Sequence, residues 1–193
     1  MARPKAFDQT EVLDRAMDLF WRQGYEATSI QNLVDHMGIN RGSMYETFGD
    51  KHALFQRALN RYLDRVIAEK LEAALAASDP LQGLRTFFED FAEQAERGEA
   101  WRGCFLVNAI VELSPRCERM RSCTREAMDR LEGFFRERLQ AAAARGELSV
   151  RHEPVALARY LACFLQGLAV HVKSRPDPQA IRESLRVGLA ILA

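Results

Sequence analysis

Apolar side chains recur every three or four positions along almost the whole chain. One stripe covers Val12–Phe20, a second Ile30–Met37 and a third Leu54–Val66, and the same spacing continues to Leu192. Residues with this spacing share one face of an α-helix. No run of alternating apolar and polar residues is bounded by hairpin turn residues. The pattern therefore predicts an all-α fold.

Glycine and proline residues separate the stripes and mark where each helix ends. Nine helices are predicted, over residues 8–23, 28–36, 40–47, 50–77, 80–97, 103–112, 115–145, 153–173 and 177–192. The first three are closely spaced, and most of the later ones are longer. We therefore expect a small N-terminal head, residues 1–49, on a larger helical body, residues 50–193, with the helix 50–77 connecting the two.

The composition is that of an ordinary soluble protein and excludes some classes. Among 193 residues, 27 basic side chains balance 27 acidic ones, which excludes a polybasic nucleic-acid tail or membrane anchor. The N-terminus lacks the apolar stretch of a secretory signal, and the longest uncharged apolar run, residues 161–172, is too short to span a membrane. Four cysteines without a C-x-x-C pair indicate free thiols. We expect a cytoplasmic protein without a membrane partner.

The stretch from Thr28 to Lys51 has the features of a helix-turn-helix. Thr28 and Gln31 fit a capping box at the start of a short helix. Gly38 suits the left-handed conformation of a tight turn, and Asn40 is a good N-cap for the next helix. In DNA-binding proteins of this kind the second helix enters the major groove while the first crosses the backbone. Helix pairs joined by a glycine turn also occur in proteins that bind no DNA, so the pattern alone leaves both interpretations open.

The second helix of this pair would present a polar face to DNA, with Met44 and Phe48 pointing inward. Arg41 lies at its N-terminal end, where a guanidinium can donate two hydrogen bonds to guanine O6 and N7. Gly42 would let the backbone approach the duplex closely. Further donors suit phosphate oxygens, either as hydroxyls or at the start of the fourth helix: Thr28, Ser29, Ser43, Tyr45, Lys51 and His52.

The same region resembles the TetR family of bacterial repressors over about a quarter of the chain, residues 12–55. The matching positions are Leu19-Phe20, Gly24-Tyr25, Thr28-Ser29-Ile30, Gly38-Ile39, Arg41-Gly42-Ser43, Tyr45, Phe48, Lys51 and Leu54-Phe55. The chain departs from the family pattern at Met44, where Leu or Ile is commoner, and at Gly49-Asp50. Neither difference weakens the resemblance.

The resemblance implies a homodimeric repressor that binds a palindromic double-stranded operator and releases it when a small inducer enters the body. It implies a recognition helix, a set of phosphate contacts and a basic N-terminal arm in the minor groove. The recognition helix would carry Arg41, Gly42 and Ser43. The phosphate contacts would be Tyr45, Lys51, Thr28 and Ser29, and the N-terminal arm would carry Arg3 and Lys5. In the family the last two helices pair with their twins, which would make 153–173 and 177–192 the dimer interface.

A ligand pocket is expected between the fifth and eighth helices, because this part of the body is rich in aromatic side chains. The candidate lining residues are Tyr62, Phe87, Phe91, Trp101, Cys104, Phe105, Met128, Phe134 and Phe164, with Asn108, Gln166 and His171 as polar contacts. An aromatic stripe at helical spacing usually belongs to the core, so each residue also fits a purely structural role.

Cys104 fits a redox role as well. It lies in the first turn of the predicted helix 103–112, where the helix N-terminus and Arg102 favour a thiolate. The Gly103-Cys104 start resembles an AcrR-like branch of the family, in which a few members sense oxidants or electrophiles through a cysteine, with Lys173 as a partner amine here. Most members with this start respond to bound organic molecules, so a thiol switch and a ligand switch both remain open.

Other function classes find little support. The chain has no P-loop, dinucleotide fingerprint or H-E-x-x-H motif, so no catalytic residue and no cofactor is predicted. Cys117 and Cys123 are six positions apart and face different directions on a helix, which argues against a shared metal ion. The remaining alternative is a helical module that senses a ligand and signals to another protein. It would leave Arg41, Tyr45 and Lys51 without a function.

Overall fold

Helices account for nearly all of the computed structural model, which describes residues 7–98, 100–148, 152–175 and 177–192. In this part of the chain the helices are Gln9–Gln23 (α1), Ile30–Met37 (α2), Arg41–Phe48 (α3), Lys51–Tyr62 (α4), Ala68–Ala76 (α5), Pro80–Glu96 (α6), Phe105–Leu113 (α7), Glu118–Ala144 (α8), Pro154–Ser174 (α9) and Pro178–Leu189 (α10). A π-helical segment, Leu63–Ile67, joins α4 to α5 without a break, so these three elements form the predicted connecting helix. Short 3₁₀ turns lie at Ala100–Arg102 and Ala190–Leu192. The described residues contain no strand, and the predicted all-α fold of nine helices is confirmed.

Side chains cap the helices of the head, and one predicted cap is wrong. The capping box of α2 is formed by Ser29 and Asn32: the Ser29 hydroxyl accepts from the Asn32 N–H, and the Asn32 side chain accepts from the Ser29 N–H. Thr28, the predicted cap, is fully buried and donates its hydroxyl to the Gly24 carbonyl at 2.6 Å. Gln31 instead donates to Asp35. The helix begins after the buried threonine because Thr28 closes the preceding turn.

Two apolar cores hold the fold together, and their boundary does not follow the chain. The first joins α1 to α4 with α7 and the first half of α8, through residues such as Phe20, Phe55, Phe105 and Met120. The second joins α6 and the rest of α8 with α9 and α10. Helix α7 thus packs with the head although it follows α6 in the sequence. The division into residues 1–49 and 50–193 stays a prediction about domains.

Helix α9 is both long and apolar. By length and composition alone, Pro154–Ser174 could cross a membrane. The sequence analysis found only a shorter uncharged run, residues 161–172, and did not indicate this. Core helices of soluble proteins pass the same test, and one face of α9 packs in the second core through Leu157, Leu161 and Leu168. Only 39% of its most apolar window is buried, however. A large part of α9 therefore exposes apolar side chains.

Candidate DNA-binding face and ligand cavity

Helix α3 exposes one polar face and buries the other. Met44 and Phe48 are buried in the first core, as expected from the sequence. Arg41 and Gly42 are exposed, and Tyr45 is 42% exposed although tyrosine is a large, partly apolar residue. The Arg41 guanidinium lies 5.9 Å from the centre of the Tyr45 ring. The two side chains most suited to contact bases and phosphates are therefore adjacent.

The start of α3 is held by its cap, and its C-terminal end is held by α4. The Asn40 side chain accepts a hydrogen bond from the N–H of Ser43, which is half-buried. Arg57 of α4 donates to the Thr47 carbonyl at 3.2 Å and lies 5.7 Å from the centre of the Phe48 ring. Arg57 was missed by the sequence analysis, because an arginine on an amphipathic helix has the pattern of a solvated residue.

The predicted phosphate contacts occupy different environments. Ser29 is exposed at the start of α2, and Lys51 lies at the start of α4 with its ammonium 4.2 Å from the centre of the Tyr25 ring. His52 is half-buried, and its Nε2 lies 3.5 Å from the Cys117 thiol. The prediction that Thr28 contacts a phosphate is wrong. Its hydroxyl is buried and bonded to Gly24, so it cannot reach a phosphate in this conformation. Arg3 and Lys5 lie outside the described residues.

Helix α7 contacts the head near its C-terminal end through Glu112. One carboxylate oxygen accepts the Tyr25 N–H and the other accepts the Glu26 N–H, each at 2.8 Å, in the turn between α1 and α2. Gly24 permits this approach, because it has a φ of +83° and a Cβ there would lie 3.0 Å from the Glu112 carboxylate. The sequence carries no signal for this contact, since its partners are backbone groups.

The segment before α7 contacts α1 as well. Trp21 donates its indole N–H to the Gly103 carbonyl at 2.9 Å. The Arg102 guanidinium lies 4.3 Å from the centre of the Trp21 ring and pairs with Asp18 at 2.7 Å. The segment from Arg102 to Glu112 is therefore bound to the head at both of its ends.

A cavity of about 60 Å³ lies where α1, α4, the π segment, α5, α6 and α9 meet the start of α7. Four of the predicted ligand residues line it: Tyr62, Phe87, Phe91 and Cys104. The remaining lining residues are Trp21, Val66, Ile67, Lys70, Gln94, Gly103, Leu165 and Ala169. The wall is mostly apolar, with a few polar atoms, as in many small-molecule sites.

Two of the lining residues are joined by a hydrogen bond: the Tyr62 hydroxyl donates to the Cys104 thiol, 3.4 Å away. Burial raises the pKa of the Tyr62 hydroxyl well above its ordinary value, and the neighbouring Cys104 thiol adds to this shift. Tyr62 therefore stays protonated and is a hydrogen-bond donor at neutral pH.

The other predicted ligand residues lie outside this cavity. The prediction of one pocket lined by all of them is therefore wrong. Phe105 packs edge-on against Phe55 and Tyr62 in the first core. Phe164 stacks on Tyr160 and packs onto Gly188, and Trp101 is 48% exposed. Met128 is half-buried between the two cores, Phe134 is buried in the second, and Gln166 donates to the Ala162 carbonyl of its own helix. Helical spacing showed which residues face inward, but not which of them border a gap.

The predicted redox partners have separate hydrogen bonds. Lys173 donates to the Asn108 side chain at 3.0 Å, and Asn108 donates to the Arg102 carbonyl. The hydrogen bond of Cys104 is with Tyr62. His171 has a buried Nε2 without a hydrogen-bond partner among the described residues. Over the same part of the chain, no group of three or more His, Cys, Asp or Glu residues could hold a metal ion.

Two family models match the chain. Residues 12–58 match the model described as bacterial regulatory proteins, tetR family, and residues 80–187 match the tetracyclin repressor-like C-terminal domain. The chain belongs to the TetR family. It is a DNA-binding transcriptional regulator, and a TetR-family regulator of this kind is a soluble, cytoplasmic protein.

Relatives of known name cover nearly the whole chain. The uncharacterized HTH-type transcriptional regulator YezE of Bacillus subtilis (strain 168) is 32% identical over 100% of both chains. The HTH-type transcriptional repressor ComR of Escherichia coli (strain K12) is 34% identical over 89% of this chain and 82% of its own. A solved structure of the TetR family regulator CifR, a cysteine mutant complexed with 26-bp double-strand operator DNA, is 29% identical over 100% of both chains, with a TM-score of 0.86.

Proposed function

We propose that this chain is a homodimeric repressor that binds a palindromic operator through α2 and α3 and releases it when a small molecule occupies the cavity beside Cys104. The observation that carries the proposal is the exposed face of α3, where Arg41, Gly42 and Tyr45 stand over a buried Met44 and Phe48. A structurally similar TetR regulator was solved on operator DNA, which supports the same role for this head.

The DNA contacts of the proposal follow from exposure and charge. Arg41, at the first position of α3, reaches a guanine in the major groove, and Gly42 leaves room for the duplex backbone. Tyr45 and Ser43, together with Ser29 on α2 and Lys51 and His52 on α4, bind phosphates on either side of that groove. Arg3 and Lys5 form the minor-groove arm. Thr28 is left out of this set because its hydroxyl is buried.

A second copy of the chain covers the apolar face of α9 in this proposal. The exposed residues on that face are spaced by three or four positions and carry no charge: Ala156, Tyr160, Cys163, Gly167 and Val170. Val187 on α10 is 67% exposed. A two-fold pair through α9 and α10 would bury these side chains and place two recognition helices on the two halves of a palindrome, about 34–36 Å apart.

The inducer site is the cavity lined by Tyr62, Phe87, Phe91 and Cys104. A molecule there contacts α4 directly and α7 through Gly103 and Cys104, and both helices pack with the head. Release follows if the molecule binds more tightly to the dimer whose heads are separated. The redox alternative through Cys104 and Lys173 has less support, because each of these side chains is bonded to a different partner. No catalytic activity or cofactor is part of the proposal. The protein would be bound to the nucleoid when it occupies its operator.

Selection from a pool of random duplexes tests the proposal, followed by fluorescence anisotropy titration of the enriched sequence. We expect a palindromic sequence, and we expect Arg41→Ala to lower the specific affinity by about 1–3 kcal/mol per half-site. Arg136→Ala, which removes an exposed arginine from α8 in the body, is the matched control and should leave affinity unchanged. Equal losses in both variants, or no enriched sequence, would overturn the proposed DNA-binding face.

Mild peroxide added to the same titration separates the two kinds of switch. Binding that survives peroxide supports a bound organic inducer. Loss of binding that is reversed by a reductant and absent in Cys104→Ser would instead make the thiol the trigger.

A further inference from the structure

A polar groove lies directly beside the apolar cavity. It has a volume of about 500 Å³, lies between α1, the π segment, α5 and α6, and includes Asp18, Arg65, Glu69 and Asp90 among its lining residues. Four side chains line both the groove and the cavity: Trp21, Val66, Lys70 and Gln94. These four therefore form the partition between an open surface depression and the interior.

An ion pair crosses this partition. The Lys70 ammonium on α5 pairs with the Asp90 carboxylate on α6, and Gln94 donates to the same carboxylate at 2.6 Å. The side chains of Lys70 and Asp90 are 23% and 39% exposed. Partly exposed ion pairs of this kind stabilise a fold by about 1 kcal/mol or less, because water competes for the charges. The pair can therefore open without loss of the helix packing around it.

We propose that the Lys70–Asp90 pair is the gate through which a compact, neutral, largely apolar molecule passes from the groove into the cavity. This inference rests on the proposed function, in which the cavity is the inducer site. The aromatic side chains of Trp21, Phe87 and Phe91 in the lining suit an apolar occupant. A charged molecule would lose its water without gaining a free partner, since Lys70 is already paired.

The size of the cavity limits the occupant. A volume of about 60 Å³ holds only a few water-sized groups, so the resting cavity accepts a molecule of few heavy atoms. The hydroxyl of Tyr62 donates to the Cys104 thiol in this structure, and it can donate to one acceptor atom of that molecule by turning away from the thiol.

The rate at which the Cys104 thiol is labelled measures access to the cavity, and the natural inducer need not be known. N-methylmaleimide is small and neutral, and its double bond adds to a thiolate, forming an S–C bond while water supplies a proton to the adjacent carbon. The rate at each cysteine of the full chain is followed by peptide mass spectrometry. Cys123 on α8 is the internal reference, because it is also half-buried and bonds to Asn60, away from the groove.

We expect Asp90→Asn to speed labelling of Cys104 about two- to five-fold, which is the effect of losing one partly exposed ion pair. Labelling of Cys123 should not change. Glu89→Gln is the matched control: it neutralises an exposed carboxylate on the same helix that lines neither the groove nor the cavity. It should leave both rates at the wild-type value.

A change in charge near Cys104 can also alter thiol reactivity, and a second reagent separates that effect from gating. The bulkier N-cyclohexylmaleimide needs a wider opening, so loss of the gate should accelerate it more than N-methylmaleimide. A purely electrostatic effect would accelerate both reagents by the same factor. Exchange of the charges in Lys70→Asp/Asp90→Lys should restore slow labelling, whereas each single change should speed it.

Three results would overturn the gate: unchanged Cys104 labelling in Asp90→Asn, equal acceleration of the two maleimides, or parallel acceleration of Cys123, which would indicate general loosening. No DNA is present in this experiment, so its outcome is distinct from that of the operator titration. If Asp90→Asn speeds labelling of Cys104 but the protein enriches no sequence from the random duplexes, the gate is supported and the proposed function is refuted. Specific operator binding with unchanged labelling would refute the gate alone.

Discussion

The head and the body of this protein place their chemistry in opposite ways. The candidate DNA contacts of the head between Ser29 and His52 come from one contiguous stretch, and they lie on the surface of a capped helix pair. The cavity of the body draws its lining from α1, α4, the π segment, α5, α6, α7 and α9, and lies inside. A surface site on a short motif needs only local structure, whereas an internal cavity exists only where distant helices fail to fill the space between them.

The comparison has a limit, because the two regions share a core. Phe105 on α7 packs against Phe55 and Tyr62 on α4, and Glu112 binds the turn after α1. The cavity borders this shared core through Tyr62 and Cys104. In the proposed function, occupation of the cavity would therefore act on helices that also pack with α3 in the first core. Three changes, ordered by expected effect, test how far head and body are one unit.

Phe55→Ala should have the largest effect. Phe55 is fully buried, and its ring meets those of Phe20, Tyr25 and Phe105. Loss of a buried ring of this kind lowers the free energy of unfolding by about 3–5 kcal/mol. Because Phe105 belongs to α7, we expect one urea transition by circular dichroism that moves to lower urea as a whole. Phe88→Ala, fully buried in the second core, is the matched change. An early transition of the head alone in the Phe55 variant would show that the cores unfold independently.

Glu112→Ala should have an intermediate effect. The change leaves the N–H groups of Tyr25 and Glu26 without the carboxylate that accepts them, which costs about 1–3 kcal/mol of folding free energy. Hydrogen exchange at these two amides should become faster, and specific operator affinity should fall as the turn before α2 loosens. Glu118→Ala removes an exposed carboxylate bonded to its helical neighbour Arg121 and should change stability by less than about 0.5 kcal/mol. Unchanged exchange at Tyr25 and Glu26 would contradict the assigned contact.

Asp14→Asn should have the smallest effect, and it should depend on pH. The hydrogen bond from Arg61, followed by the charges of Arg61 and Arg65, holds the pKa of the Asp14 carboxyl below its ordinary value, although burial opposes this shift. The partners are partly exposed, so the pair stabilises the fold by about 0.2–1 kcal/mol at neutral pH.

The sign follows from the lowered folded pKa. The stabilisation is fully present above the unfolded pKa of about 3.9 and is lost as the pH falls through the folded value. The difference in urea midpoint between wild type and Asp14→Asn should therefore be largest at neutral pH and vanish in acid. Asp35→Asn, which changes an exposed carboxyl bonded to Gln31, should give no such trend. A difference that stays constant from neutral pH into acid would assign the effect to something other than the charge of Asp14.

The sequence predicted the head better than the body for a physical reason. Caps, turns and helical faces between Asn40 and Phe48 depend on neighbours a few positions away, and the exposure of Arg41 and Tyr45 followed from them. The error at Thr28 was also local: two hydroxyl residues in succession could each cap α2, and only burial of Thr28 selected Ser29. In the body, Phe91 borders the cavity while Phe105 fills a core, although both lie on apolar helical stripes.

What the sequence by itself determined is therefore the all-α fold, the helix-turn-helix and the family, since each is written in periodic or contiguous residues. Tertiary structure alone decided that α7 packs with the head, that Glu112 binds two backbone N–H groups, and that Lys70 and Asp90 meet across α5 and α6. These contacts join residues far apart in the chain, and no pattern along the sequence encodes the distance between them. Packing of whole helices against one another sets that distance, and with it the cavity and its entrance.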